Sequence, residues 1–416
     1  RRHRHDGHLT ATSGIDELQS HLDPIAIGLV EDQLALALEL VGCGIQFAGR
    51  CRVGDLLDAH DHLHGVIVTH WSARIPTVCT PSVRGCAEPG GSNRLLPSRT
   101  VRVLLIVNSF ASSVTARNTV LVHRALGAAG RHDVEVVETN RRGHATRFAA
   151  DAARRGVDVV AAFGGDGTLN EAATGLAGSD TALAVLPGGS TNVFARTIGL
   201  PNDPLAAAAL MADALDEPSP RVGLGRVNGR YFCFHTGVGL DAAVVAAVER
   251  RAALKRWFGH PLFVWAALTT WARGYDRTHP HFSVTTEQGM VCEGAYFTVV
   301  LNTSPYTYLG NRPLDLVPGT SLDGGLTMIS LSSLSMPTML HAVRRVFSGS
   351  APTGIDGVQV FTDANQVVLS RLDGTGDDAM PYQVDGDHLG AADRLEFEHV
   401  PDALRLVLPR ATADRG

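Results

Sequence analysis

Residues 158–171 read Asp158-Val-Val-Ala-Ala-Phe-Gly-Gly-Asp-Gly-Thr-Leu-Asn-Glu171, and this stretch decides how the rest of the chain is read. Asp158–Phe163 is a short apolar, β-branched run of the kind a strand buried on both faces of a parallel sheet needs. A helix is expected from about Leu169 to Leu176. Between them lies Gly164-Gly165-Asp166-Gly167-Thr168. Glycines let a backbone approach phosphate closely, a following helix supplies unpaired N–H donors at its N-terminus, and Asp166 is suited to organise Mg²⁺. The plainer alternative is a tight turn with Thr168 or Asp166 as helix cap.

Working outward, Val101–Asn108 is a second apolar strand candidate, followed by a helix near Arg117–Gly130, a strand Asp133–Thr139 and a helix Gly143–Gly156. Downstream come a strand Thr181–Leu186, a second glycine loop starting Pro187-Gly188-Gly189-Ser190-Thr191-Asn192, and helical segments near Asn192–Ile198 and Asp203–Leu215. Strands alternating with helices predict a parallel sheet covered on both faces. Two glycine loops at the carboxyl ends of successive strands then face one crevice, where open parallel sheets take their ligands.

Past Pro220 the pattern changes to glycine-punctuated strand candidates: Gly229–Thr236, His281–Thr286, Gly294–Leu301, Gly325–Leu331, Val358–Thr362, Asn365–Ser370, Met380–Val384 and Arg394–Glu398. The fold class expected is therefore an α/β nucleotide-binding part with a parallel sheet plus a mainly antiparallel, β-sandwich-like second part. Boundaries are expected at 101–222 and 223–410, with the last strand free to return to the first part. A helical insertion, Asp241–Tyr275, carries Lys255-Arg-Trp-Phe258 ahead of an apolar run too short to span a bilayer. With Arg250, Arg251 and Arg256, that run is a candidate membrane-facing surface.

Composition narrows the chemistry. The net charge is −6 with 19% charged residues, which argues against nucleic acid as a partner. The single lysine, Lys255, excludes a P-loop ending in Lys-Ser/Thr, so phosphates must be held by backbone N–H groups, Arg or a metal. Six cysteines without a CxxC spacing support neither a zinc site nor a disulfide framework. No apolar stretch is long enough for a transmembrane helix. Residues 1–100 hold eight of the 18 histidines with weak periodicity, and are expected to be a disordered or non-native extension.

On Gly164–Thr168, the Gly188-Gly189 loop, Arg142-Gly-His-Ala145, Gly225-Arg-Val-Asn-Gly-Arg-Tyr-Phe232 and Val384-Asp-Gly-Asp387, the chain from 101 to 410 resembles the diacylglycerol kinase catalytic-domain family. That family is shared with sphingosine kinases and is distantly related to NAD kinases. The resemblance implies ATP and Mg²⁺ as cofactors and a lipid hydroxyl as acceptor, most simply diacylglycerol. The acceptor would be met at the membrane surface by a cytoplasmic, peripherally associated enzyme. It implies nucleotide contacts at Asn108, Thr139, Gly164, Gly165, Asp166, Gly167, Thr168, Asn170, Glu171, Gly189, Ser190 and Asn192. Asp387 is implied as the base that deprotonates the lipid, and Asp166 as catalytic organiser of ATP-bound Mg²⁺; in the sphingosine branch these roles are reversed. Asp241 is a candidate for the lipid head group.

Three departures matter. Ser109 replaces the family's Pro after Asn108. Asp387 replaces Glu, a methylene or about 1.5 Å shorter. Some bacterial members hold a structural Mg²⁺ with two Asp carboxylates, where this chain has Gly223 and only Asp323, so a tightly held structural metal is not expected. Alternative readings are a sphingosine-type kinase, a soluble-substrate kinase of the NAD kinase type, and a non-catalytic lipid- or nucleotide-binding homologue. The oligomeric state is open, a homodimer being one outcome.

Overall fold

The computed structural model describes residues 100–127, 130–249, 269–270, 275–372 and 379–409. The expectations for 1–99, the basic-aromatic run 250–258 and most of the helical insertion lie outside the described residues.

Strands β1 (Arg102–Val107), β2 (Asp133–Glu138), β3 (Val159–Gly164) and β4 (Ala182–Pro187) pair in parallel in the order β2-β1-β3-β4. β3 and β4 are buried along their whole length, whereas β2, at the edge, has no buried residue. The order reverses between β1 and β3, so the crevice at their carboxyl ends is the natural ligand position. Helices α1 (Ala116–Leu126), α2 (His144–Arg154), α3 (Asp166–Leu176), α4 (Val193–Thr197) and α5 (Pro204–Ala214) connect and cover these strands. Local chemistry starts them where they start. Thr115 accepts from the Asn118 N–H ahead of α1, and Asp203 accepts from two amides ahead of α5, with Pro204 in its first turn. α3 begins at Asp166, not near Leu169 as the sequence suggests, so Asp166 stands in the helix's first turn.

The parallel strands do not end their sheet at β4. The long β18 (Arg394–Leu406) pairs parallel with β4 through Arg405 and Leu406, and antiparallel with β15 (Gln366–Arg371) and β5 (Arg221–Val227). With β6 (Arg230–Phe232), β8 (Phe282–Thr286) and β9 (Gly289–Ala295), this makes one ten-stranded sheet. Six further strands form a separate antiparallel sheet in the order β14-β13-β10-β7-β16-β17. Their ranges are β7 (His235–Gly239), β10 (Phe297–Leu301), β13 (Leu326–Leu331), β14 (Val358–Ala364), β16 (Met380–Val384) and β17 (Asp387–Ala392).

Phe232, Phe282, Phe397, Met328 and Val384 bury one another between the sheets, each side chain of this size contributing about 2–3 kcal/mol. Ile329, next to Met328 but on the opposite face, belongs to another cluster. That cluster includes residues of α6 (Leu240–Glu249) and, partly buried, Met339 and Ala342 of α7 (Met336–Phe347).

Two expected strands are each split. Gly229–Thr236 becomes β6 and β7, and Gly294–Leu301 becomes β9 and β10, with the halves in different sheets. In the first case the cause is visible: the backbone N–H groups of Cys233, Phe234 and His235 all turn to the carboxylate of Asp385. β5 and α7 were not singled out by the sequence pattern. Gly225 interrupts the apolar run of β5 because the Phe232 ring lies against its backbone, where a Cβ would collide with it.

Candidate active site

The two glycine loops meet backbone to backbone. A Cβ on Gly188 would lie 2.8 Å from the Gly164 Cα, one on Gly189 2.9 Å from the Gly165 Cα, and one on Gly164 2.6 Å from Thr168 Oγ1. The Gly188 amide donates to the Gly164 carbonyl at 2.8 Å. Only glycine permits this approach.

The sequence-expected residues hold these loops together. Asn108, at the end of β1, donates to Thr168 Oγ1 at 2.8 Å and accepts from the Phe110 amide. Asn192 has φ 50° and forms a closed ring with Gly189, accepting its N–H and donating to its carbonyl, both at 2.8 Å. Thr139 is buried and donates its amide to the Val107 carbonyl. Glu171 accepts from the Gly143 and Ala145 amides at 2.8 and 3.1 Å, pinning the start of α2. Ser190 is exposed.

Asp166 spends its carboxylate on the neighbouring loop. Oδ2 accepts from the Val193 amide at 3.0 Å and Oδ1 from the Phe194 amide at 3.2 Å. These are the first amides of α4, so Asp166 ties the first loop to the helix that follows the second. Burial pushes its pKa up, against the two amides that favour the anion.

The opposite wall is the turn between β16 and β17. Val384 pairs with Asp387, and the two residues between them, Asp385 and Gly386, have φ 48° and 86°, the backbone that Asp-Gly adopts readily in a two-residue hairpin. Asp385 accepts from the Cys233, Phe234 and His235 amides at 2.7 to 3.0 Å and from Asn170 Nδ2 at 2.8 Å. It thereby fastens the turn to α3, which also carries Asp166. Burial raises its pKa to about 6 even against these four donors.

Asp387 is different. Its side chain is 31% exposed, Arg142 Nη2 stands 3.6 Å from its Oδ1, and a Cβ on Gly167 would lie 3.3 Å from its Oδ2. Asp387 therefore faces the first glycine loop across the crevice.

Asp241, a head-group candidate from the sequence, is buried and fully engaged. Its Oδ1 accepts from the Tyr306 hydroxyl at 2.6 Å and its Oδ2 from Gln383 Nε2 at 2.8 Å. Gln383 Oε1 in turn accepts from the Gly386 amide at 2.8 Å, so Asp241 connects to the Asp387 turn through one side chain. Burial raises the pKa of Asp241. The buried His235 ring lies tilted against Tyr306 with its centroid 4.3 Å away, and burial lowers its pKa to about 3. Asp385, Gln383 and Tyr306 were missed by the sequence reading. Asp385-Gly386 carries a hairpin signal, but nothing in the string shows where its carboxylate points.

The chain is similar to known proteins over the same region. The model of the diacylglycerol kinase catalytic domain matches residues 102–221. A diacylglycerol kinase of Bacillus subtilis is 43% identical over 283 residues, covering 66% of this chain and 85% of that protein. The chain belongs to the diacylglycerol kinase catalytic-domain family. A Pseudomonas aeruginosa member named "Probable lipid kinase YegS-like" is 29% identical over 311 residues, 74% of this chain and 94% of the other. The fold is similar to that of a diacylglycerol kinase crystal structure from Bacillus anthracis, with a TM-score of 0.55, 21% identity, and coverage of 76% of this chain and 99% of that one. Among the described residues no helix is long and apolar enough to cross a membrane.

Within this family the structural Mg²⁺ implied by the resemblance can be tested against the donors present. Such an ion needs several oxygen ligands. A Cβ on Gly223 would collide with His399 Nε2 and come within 2.8 Å of the Leu322 carbonyl, so the imidazole fills the space into which a side chain at 223 would grow. Asp323 is exposed. Among the described residues no three His, Cys, Asp or Glu side chains converge. These residues do not fit that ion: of the two carboxylates the resemblance implies, the chain keeps only the exposed Asp323, and His399 occupies the space at Gly223.

Proposed function

We propose that this protein is an ATP-dependent lipid kinase that transfers the γ-phosphoryl group to a lipid hydroxyl, with diacylglycerol, giving phosphatidic acid, as the first candidate substrate. The observation that carries this reading is the half-buried carboxylate of Asp387 facing Gly167 across the crevice. A phosphate cradled by the glycine loops would there lie beside a group able to take a proton. The lipid oxygen forms a bond to the γ-phosphorus, the bond from that phosphorus to the β–γ bridging oxygen breaks, ADP leaves, and the hydroxyl proton passes to Asp387.

Backbone amides and the α3 N-terminus hold the phosphates, while Asn108, Glu171 and Asn192 keep the loops shaped. Mg²⁺ arriving on ATP would supply charge neutralisation. Asp166 is the carboxylate suited to it, since each of its oxygens accepts from one amide and keeps a second lone pair. Asp166 acts first by setting the distance between the loops. Asp241 serves the site by steadying the Asp387 turn through Gln383 rather than by touching lipid. The enzyme reaches its substrate as a peripheral protein.

The test is phosphate transfer from γ-labelled ATP to diacylglycerol, sphingosine, ceramide and NAD, presented separately. Labelled phosphatidic acid is the expected product. Labelled NADP would replace the lipid reading with the soluble-substrate one, and no transfer to any acceptor would leave a binding protein.

A further inference from the structure

Eight large hydrophobic side chains are strongly exposed among the described residues, and three of them, Met336 (55%), Leu340 (36%) and Phe347 (39%), lie on the single helix α7. With Arg344, also exposed, their spacing of four, four and three residues places them along one face. The opposite face packs on the six-stranded sheet through Met339 and Ala342, so the outward stripe is not the helix's core-facing side. Ser335 caps the helix by accepting from the Thr338 amide, Pro337 lies in its first turn, and its first turn has no acidic residue.

Charge accompanies this stripe. In a chain of net charge −6 with 42 acidic residues, the run from Gly324 to Ile355 contains no Asp or Glu, yet it holds His341, Arg344 and Arg345. From the neighbouring hairpin of β11 (Thr307–Leu309) and β12 (Arg312–Leu314), Arg312 places its guanidinium 5.8 Å from the Phe347 ring centroid and donates to the Phe347 carbonyl oxygen. The same hairpin touches the nucleotide wall: Arg196 of α4 lies 3.6 Å from the Tyr308 ring centroid and donates to the Gly310 carbonyl oxygen. Arginines in a last helical turn complement the helix dipole. That accounts for their charge but not for the apolar residues beside them.

We infer that the outer face of α7, with Arg312, is a docking surface for an anionic lipid bilayer: Met336, Leu340 and Phe347 enter the interface while Arg344 and Arg312 meet acidic head groups. An apolar stripe with interleaved basic residues is the pattern of helices that lie in the membrane plane, and each arginine near an anionic surface adds about 1 kcal/mol, or roughly fivefold in affinity. The inference rests on the lipid-kinase reading, and it places the bilayer one hairpin away from the second glycine loop.

The test is sedimentation of the full chain with vesicles containing phosphatidylglycerol and with vesicles of phosphatidylcholine alone. Binding is expected mainly to the anionic vesicles and should weaken as salt rises. Leu340→Glu should weaken it by about tenfold or more and Arg344→Ala by roughly fivefold, whereas Val120→Glu, at an exposed position of α1, should leave it unchanged. Phosphorylation of a short-chain diacylglycerol dispersed in detergent should be the same for all variants, which shows that the fold and active site survive. Unchanged vesicle binding by Leu340→Glu and Arg344→Ala would overturn the inference. So would a shift in self-association of Leu340→Glu measured by light scattering, which would assign the face to a second copy of the chain. α7-dependent vesicle binding without phosphorylation of any lipid would keep the docking surface and defeat the kinase reading instead.

Discussion

The two walls of the crevice are built on opposite principles. On the parallel-sheet side the wall is backbone: Gly164, Gly165, Gly188 and Gly189 bring main chain against main chain, and the carboxylate of Asp166 holds two amides of α4. On the antiparallel side a two-residue turn and the first residue of the strand after it carry two carboxylates with different fates. Asp385 is buried under four donors, and Asp387, two residues on, stays half-exposed and faces the other wall. Carboxylates on both walls organise backbone, whereas that of Asp387 lies between Arg142 and Gly167. The turn explains this: residues two apart would share a face in a regular strand, but the positive φ of Asp385 and Gly386 turns the chain between them.

The largest effect should come from Asp385. Asp385→Ala removes the acceptor of three buried backbone amides and of Asn170, and each orphaned donor costs about 1–3 kcal/mol. The variant should lose on the order of 4 kcal/mol or more, measured by urea unfolding, and activity should vanish with the fold. A stable Asp385→Ala protein would mean that the turn is anchored by something else.

Asp387 offers the contrast. Asp387→Asn should unfold at nearly the parent's urea midpoint, because the side chain is half-exposed. Its turnover should still fall by roughly 10² to 10⁴, the range for loss of a general base. ATP binding measured by calorimetry should be unchanged, and Asp387→Glu should keep part of the activity. If ATP affinity falls in proportion to rate, Asp387 belongs to the nucleotide or metal site and the two walls share one task.

The smallest effect should be at Gln383, which touches neither proposed ligand. Gln383→Met fills the same space without either hydrogen bond, freeing the Gly386 amide and one oxygen of Asp241. Turnover should drop about tenfold, equivalent to one lost bond of about 1.4 kcal/mol, with the KM for ATP unmoved. A change in lipid KM with constant turnover would instead return Asp241 and Gln383 to head-group binding.

Much of the parallel wall is legible in the string because its determinants are local. The apolar runs at 102–107, 159–164 and 182–187, the glycine pairs and the caps act within a few residues of themselves, and the strands appear where the pattern puts them. The antiparallel wall is less legible. Gly229–Thr236 looks like one strand, and only the tertiary structure shows it broken at Cys233 by a carboxylate about 150 residues away. α7 went unread because its inner face is built from partly buried residues while apolar side chains also point outward, blurring the helical period that would announce it.

By itself, the sequence determined the alternation of strand and helix, the two phosphate-suited loops and the family to which they belong. Each of these rests on neighbours in the chain and on the backbone freedom of glycine. The tertiary structure alone decided that β18 joins the parallel and antiparallel strands into one sheet, that Asp166 and Asp385 are spent on amides while Asp387 is not, and that His399 fills the space beside Gly223. The physical reason is that a carboxylate's role is set by the donors around it and by its burial, and those donors come from residues distant in sequence that only folding brings together.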